Sequence, residues 1–254
     1  MKLLLANPNT TAAITARMAA AARTIASPGT EIIEATANFG AEVINTRAEM
    51  AIAEHASLAL LASAAPGCNG VIIGASLDSA LRAARTMLPC PVIGLTEAAI
   101  HTACLLGGRF GVLTTSATAA TITREMIEAY GLASRLAGLR FLSVPSQYVL
   151  ADPEGVAGSL VPLAHALIED NLAETIVLIG AVMAGIPPLL QSRCPVPVIE
   201  GVTCAIPLLE GLVRLALPKP RSGTYAALPR RTVTGLDPAL AARFDNDPAT
   251  QQHG

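Results

Sequence analysis

The sequence predicts an α/β protein made of two similar Rossmann-like halves, each on a parallel sheet, with a cleft between them. Three observations carry this. Short apolar runs alternate with helix-forming stretches along all 254 residues, and such alternation implies parallel strands joined by right-handed crossovers. Apolar residues are 52% of the chain and charged ones 14%, enough to build a core and incompatible with a disordered chain. Finally, the chain repeats itself. Val71-Ile72-Ile73-Gly74-Ala75 recurs as Val177-Leu178-Ile179-Gly180-Ala181, and Pro91-Val92-Ile93 recurs at the same offset as Pro197-Val198-Ile199. Ala12 to Met18 likewise matches Ala120 to Met126. Two halves related by an approximate two-fold axis follow from that register.

In chain order, strands are expected at 2–6, 31–36, 70–75, 91–95, 110–114, 140–144, 175–181 and 196–200, where Val, Ile and Leu concentrate. Helices are expected at 10–25, 46–64, 79–87, 97–106, 118–130, 155–170 and 203–216. The first strand ends at Asn7-Pro8-Asn9, and Asn9 or Thr10 is placed to cap the helix after it. Pro66-Gly67-Cys68-Asn69 separates a helix from the third strand, and Gly185 with Pro187-Pro188 interrupts the chain after the seventh. Residues 1–98 with about 207–235 form the first half, and residues 99–206 form the second. A strap runs from Pro218, and residues 236–254 are expected as a flexible tail.

Composition also excludes partners. With 3% aromatic residues, no Trp, a net charge of −2 and no Lys/Arg cluster, nucleic-acid binding is not expected. The two uncharged windows long enough to span a bilayer, Ala56 to Leu77 and Thr175 to Ser192, contain these same breakers, so no membrane span is expected. Five cysteines without metal-ligand spacing read as buried apolar groups in a reducing cytoplasm, and no metal site is expected.

In parallel sheets ligands bind beyond the carboxyl ends of the strands. Those ends carry Asn7, Asn9 and Thr10, then Ser76 and Asp78, Thr114 and Thr115, Gly180 and Ala181, and Glu200. Most are small or neutral, which suits a small polar molecule that is anionic or carries an amide. Asn7, Asn9, Thr10, Thr114 and Thr115 offer amides and hydroxyls to a carbonyl or carboxylate. Asp78, Ser76 and Glu200 are the candidates for chemistry, and each has a plain alternative. Asp78 can cap a helix, Ser76 can line the pocket without a base to activate it, and Glu200 can be a paired or solvated acid.

Several segments resemble the Asp/Glu/hydantoin racemase family, most closely its hydantoin and allantoin branch. These are Lys2 to Met18, Pro28 to Ile32, Pro91 to His101, Gly107 to Thr115, Val198 to Val202 and Ser222-Gly223-Thr224-Tyr225, which occur in the family's order. The resemblance implies two Rossmann-like halves with the site between them, no cofactor, a homo-oligomer and a small-molecule substrate such as a cyclic ureide, lactam or related carboxylate. It also implies a pair of thiols, one on each half, that exchange a proton on opposite faces of a carbon acid. Here the first thiol position is Ala75, three residues before Asp78. The second falls on Gly180 when aligned through Met183, or on Ala181 through the internal repeat. Neither carries sulfur, so two-thiol racemisation is not expected. Acid–base chemistry by other groups, a hydrolase or decarboxylase-like lyase, and a non-catalytic binding homologue are the alternatives this leaves.

Overall fold

The computed structural model of the chain describes residues 1–245, and residues 246–254 of the expected tail lie outside the described residues. The first half runs β1 (Lys2–Asn7), α1 (Ala12–Ile25), β2 (Glu31–Thr36), α2 (Arg47–Ala64), β3 (Gly70–Ile73), α3 (Leu81–Met87) and β4 (Val92–Gly94). Helix α4 (Leu95–Leu106) leads into β5 (Phe110–Thr114), α5 (Ala117–Ala129) and β6 (Leu136–Phe141). Then follow α6 (Ser146–Ala151), α7 (Pro153–Glu169), β7 (Thr175–Leu178), α8 (Pro187–Gln191), β8 (Val198–Glu200), α9 (Gly201–Leu215) and α10 (Pro238–Asp245).

The strands form two four-stranded parallel sheets with the same order, β2-β1-β3-β4 and β6-β5-β7-β8. The central strands β3, β5 and β7 are buried throughout, as is β1 after Lys2, which explains their unbroken apolar runs. The repeat seen in sequence is therefore a repeat of topology, with β1 matching β5 and β3 matching β7.

Each half gives its last helix to the other. Helix α4 packs on β5, β7 and β8, and α9 packs on β3 and β4 and against α1. The two helices also pack on each other, closest at their N-termini. A Cβ on Gly201 would sit 2.6 Å from Leu95 Cβ and 2.7 Å from the Leu95 carbonyl oxygen, so only glycine fits there. This crossing joins the carboxyl ends of the two sheets into one site.

Three sequence expectations are corrected. Strand β6 lies at 136–141 rather than 140–144, because this half-exposed edge strand contains Gly138 and Arg140 and has no clean apolar run. Pro187-Pro188 starts a short helix rather than only interrupting one, since proline suits the first helical turn. Residues 238–245 of the expected flexible tail form α10. It docks on α2 by burying Leu240 and by a 3.0 Å hydrogen bond from Arg243 to the Ala62 carbonyl. Among the described residues no helix is long and apolar enough to cross a membrane.

Candidate functional site

The carboxyl ends of β1, β3, β5 and β7 converge on a cavity of about 30 Å³. The first half contributes Asn9, Ile14, Ala75, Ser76 and Leu77, together with Val43-Ile44-Asn45 from the loop between β2 and α2. The second half contributes Thr115, Ser146 and Gly180-Ala181-Val182. The sequence reading missed the 43–45 loop and Ser146. Thr46 and Glu49 form a capping box that fixes the loop's end at the start of α2, but nothing in the local sequence marks either the loop or Ser146 as facing a cavity.

The β1 loop is held by a buried amide network. Asn7 Nδ2 donates to Asn9 Oδ1 and to Thr15 Oγ1, both at 2.9 Å, and Asn7 Oδ1 accepts the Asn9 amide at 3.1 Å. The Thr11 backbone N–H also donates to Asn9 Oδ1 at 2.9 Å. A backbone N–H can only donate, so the oxygen of Asn9 is fixed there and its Nδ2 is left for the cavity. Asn7, expected to bind substrate, is fully buried and instead holds Asn9. Thr10 donates its amide to the Ala41 carbonyl at 3.1 Å and, like the buried Thr114, does not line the cavity. Asn9 and Thr115 do.

The opposite wall is a tight turn. Gly180 has φ +151, a conformation side chains rarely adopt, and a Cβ there would lie 3.1 Å from Met183 Cγ. Ala181 to Met183 then form one turn of 3₁₀ helix. Arg17 of α1 crosses from the first half to hold this turn, donating Nε to the Ala184 carbonyl at 2.8 Å and Nη1 to the Val149 carbonyl at 3.3 Å.

The two carboxylates proposed for chemistry do not line the cavity. Glu200 occupies the N-cap of α9, accepting the amides of Val202 at 2.6 Å and Thr203 at 2.8 Å. Burial pushes its carboxyl above the usual range. Asp78 caps a helix too, but α4 rather than the helix it precedes. Its Oδ1 accepts the Thr96 amide at 3.0 Å and its Oδ2 accepts the Glu97 amide at 2.9 Å and the Tyr130 hydroxyl at 2.8 Å. Burial outweighs those three donors and raises Asp78 to about 7, and burial with the neighbouring Asp78 charge pushes the Tyr130 hydroxyl up. Reaching α4 bends the chain, with φ +46 at Asp78 and +64 at Ala80. Thr96 Oγ1 donating to the Ser76 carbonyl, and Ser57 Oγ to the Ser79 carbonyl at 3.1 Å, hold that bend. Ser76 lines the cavity with no hydrogen bond to its own hydroxyl among the described residues, and no histidine lines the cavity with it.

Residues 3–209 match the sequence model of the Asp/Glu/hydantoin racemase family. The chain belongs to that family. Its fold is shared with the allantoin racemase of Pseudomonas fluorescens, at 34% identity and a TM-score of 0.89 over 92% of this chain and all of that one. The allantoin racemase of Klebsiella pneumoniae matches at 31% identity and a TM-score of 0.88, covering 94% of this chain and 98% of its own. A hydantoin racemase of Rhizobium meliloti is 29% identical over 227 residues, 89% of this chain and 94% of its own. The scaffold is thus that of a racemase-type enzyme.

Within this racemase-family cleft, Ala75 lies on the first half's wall and Gly180 and Ala181 on the second's. None of the five cysteines lines the cavity. Cys68, Cys90 and Cys194 precede β3, β4 and β8 at the far ends of those strands, and Cys104 and Cys204 lie in α4 and α9. Burial raises Cys204 to about 12, so that thiol is inert at neutral pH.

Proposed function

We propose that the cleft takes a small cyclic ureide, lactam or related carboxylate and polarises its carbonyl with neutral donors, with water and not a protein thiol carrying any α-proton. One observation supports this reading above the others. Every side chain that lines the cavity is apolar or a neutral amide or hydroxyl, so the wall offers donors and no titratable group.

Asn9 Nδ2 and the hydroxyls of Ser76, Thr115 and Ser146 are the groups placed to hold a carbonyl oxygen. As the α-carbon gives its proton to water, charge moves onto that oxygen, where fixed donors stabilise it. Return of a proton from water to either face of the carbon then gives exchange or racemisation. Ile14, Val43, Ile44 and Val182 keep the rest of the wall dry and strengthen those contacts.

A hydrolytic reading needs an activated nucleophile or a base. Ser76 has none beside it, and Asp78 and Glu200 are spent on helix ends. The test is incubation of a 5-substituted hydantoin with the chain in D2O, read by mass and by binding. Deuterium gained at the α-carbon with the ring intact, at a rate unchanged by iodoacetamide, supports the reading. Ring opening, seen as added water, points to a hydrolase, and binding without exchange points to a non-catalytic homologue.

A further inference from the structure

Two turns of the second half each leave a buried carbonyl without a local donor, and one side chain of the first half takes both. Pro153 follows Val149 by four residues, and Pro187 and Pro188 follow Ala184 by three and four. Proline has no N–H, so the donors that a helical turn would bring to these carbonyls are missing. The Asp152 amide, three residues after Val149, is spent on the Tyr148 carbonyl. Val149 is 0% exposed and Ala184 1%, so water is not at hand as a substitute. Arg17 of α1 supplies both bonds, from Nη1 to Val149 at 3.3 Å and from Nε to Ala184 at 2.8 Å. Its guanidinium is itself half-buried and has no carboxylate partner among the described residues. Burial lowers its pKa from the ordinary arginine value.

We propose that Arg17 is a positioning residue for the cleft chemistry, setting two second-half wall segments against the first half. The inference rests on the proposed cleft function and deepens it. Val149 lies in α6, which starts at Ser146, and Ala184 follows the turn that carries Gly180, Ala181 and Val182. Ser146 and those three turn residues all line the cavity. On the first half, Ile14 lines it too, one helical turn before Arg17 on the same face of α1. A single guanidinium therefore sets the Ser146 hydroxyl and the 180–182 backbone relative to the helix that follows Asn9. Donors that must meet one carbonyl oxygen from two halves depend on that spacing, and a misplacement of about 1 Å can cost about 10²-fold in rate. Arginine suits the task because its planar fork reaches two acceptors at once, whereas lysine is a point charge.

The test replaces Arg17 in the full chain by Met, which keeps an apolar stem and removes both donors, and by Lys, which keeps the charge. Arg243→Met removes a guanidinium-to-carbonyl bond at α10, away from the cleft, and is the control for a lost bond alone. Two readouts are taken: backbone amide exchange over 146–152 and 181–186, and α-deuterium exchange into a 5-substituted hydantoin as kcat and KM. Arg17→Met is expected to speed amide exchange at least tenfold in both segments and to lower kcat at least tenfold, about the size of a modest misplacement. KM should stay within threefold, and the control should change neither readout. Arg17→Lys should keep protection in one segment only and recover kcat in part, and it carries the test where Arg17→Met folds poorly. Amide exchange unchanged in either segment of Arg17→Met, full protection and kcat in Arg17→Lys, or a kcat loss matched by the control overturns the positioning role and leaves the cleft function standing. A wild type without α-exchange overturns the cleft function, and amide exchange alone then decides whether Arg17 holds the two segments.

Discussion

The two halves solve one problem in different ways. Each sheet ends in a strand whose following helix crosses to the other half, and each crossing buries a helix N-terminus whose amides need an acceptor. In the second half the N-cap residue itself does this, as Glu200 bends back onto Val202 and Thr203. In the first half the matching position is Gly94, and Asp78 arrives from the β3–α3 loop to fill the space a side chain there would take. The acceptor has changed its place in the sequence while keeping its place in space. An acid at a strand end is therefore weak evidence of catalysis in this fold until the nearest helix has been checked for its cap.

Exchanging what the two halves do with this position gives the largest expected effect. A Cβ at Gly94 would fall on the Asp78 carboxylate. Overpacking costs about 1–3 kcal/mol and a buried group left unpaired about 1–3 more. Gly94→Ala is thus expected to lose about 4 kcal/mol in urea denaturation. Wild-type stability in that variant would place Asp78 elsewhere.

Next comes pH. Asp78 is raised from its ordinary 3.8 to about 7, so between about pH 4 and 7 the folded chain keeps a proton that the unfolded chain has lost. Stability therefore falls as pH rises through that window and levels above it. At about 1.4 kcal/mol per pKa unit, the Asp78 share is on the order of 4 kcal/mol. Glu200, also raised, adds to the same trend. Asp78→Asn should flatten the slope measurably, whereas an unchanged slope would assign it to Glu200 and the second half alone.

The smallest effect sharpens the comparison at the strand ends. Thr15 bonds Asn7 at 2.9 Å and Thr36 at 2.6 Å, but its repeat partner Thr123 is buried with an unpartnered hydroxyl, because the shorter Thr115 stands where Asn7 would. Thr15→Val is expected to cost about 1–3 kcal/mol and Thr123→Val nothing, or to stabilise slightly. Equal losses in thermal denaturation would mean that both halves use this hydroxyl alike.

The sheets were legible because the central strands are apolar on both faces and because the repeat marks the same strands twice. The edge strand 136–141 and helix α10 were not, since both rest on contacts with distant elements and carry little local pattern. At the site, Asn9, Ala75, Ser76, Thr115, Gly180 and Ala181 were legible as strand ends and do line one cavity. Asp78 and Glu200 were read as candidate acids because sequence shows neither which amides a carboxylate meets nor which helix it caps. The 43–45 loop and Ser146 reach the cavity only through tertiary folding, and no spacing announces them.

We propose that this cleft works as a racemase frame without a thiol pair, and placing a thiol on each wall tests that most directly. Ala75→Cys with Ala181→Cys places one thiol on each wall, whereas Cys at position 180 must take φ +151 beside Met183. The measurement is α-deuterium exchange into a 5-substituted hydantoin at matched binding. General acid–base catalysis contributes about 10²–10⁴-fold, so the Ala75→Cys/Ala181→Cys chain is predicted to exchange at least 100-fold faster than wild type, with the gain lost on alkylation. The Ala75→Cys/Gly180→Cys chain should gain little. A wild type that already matches the double variant, or whose own exchange is abolished by alkylation, would contradict the claim.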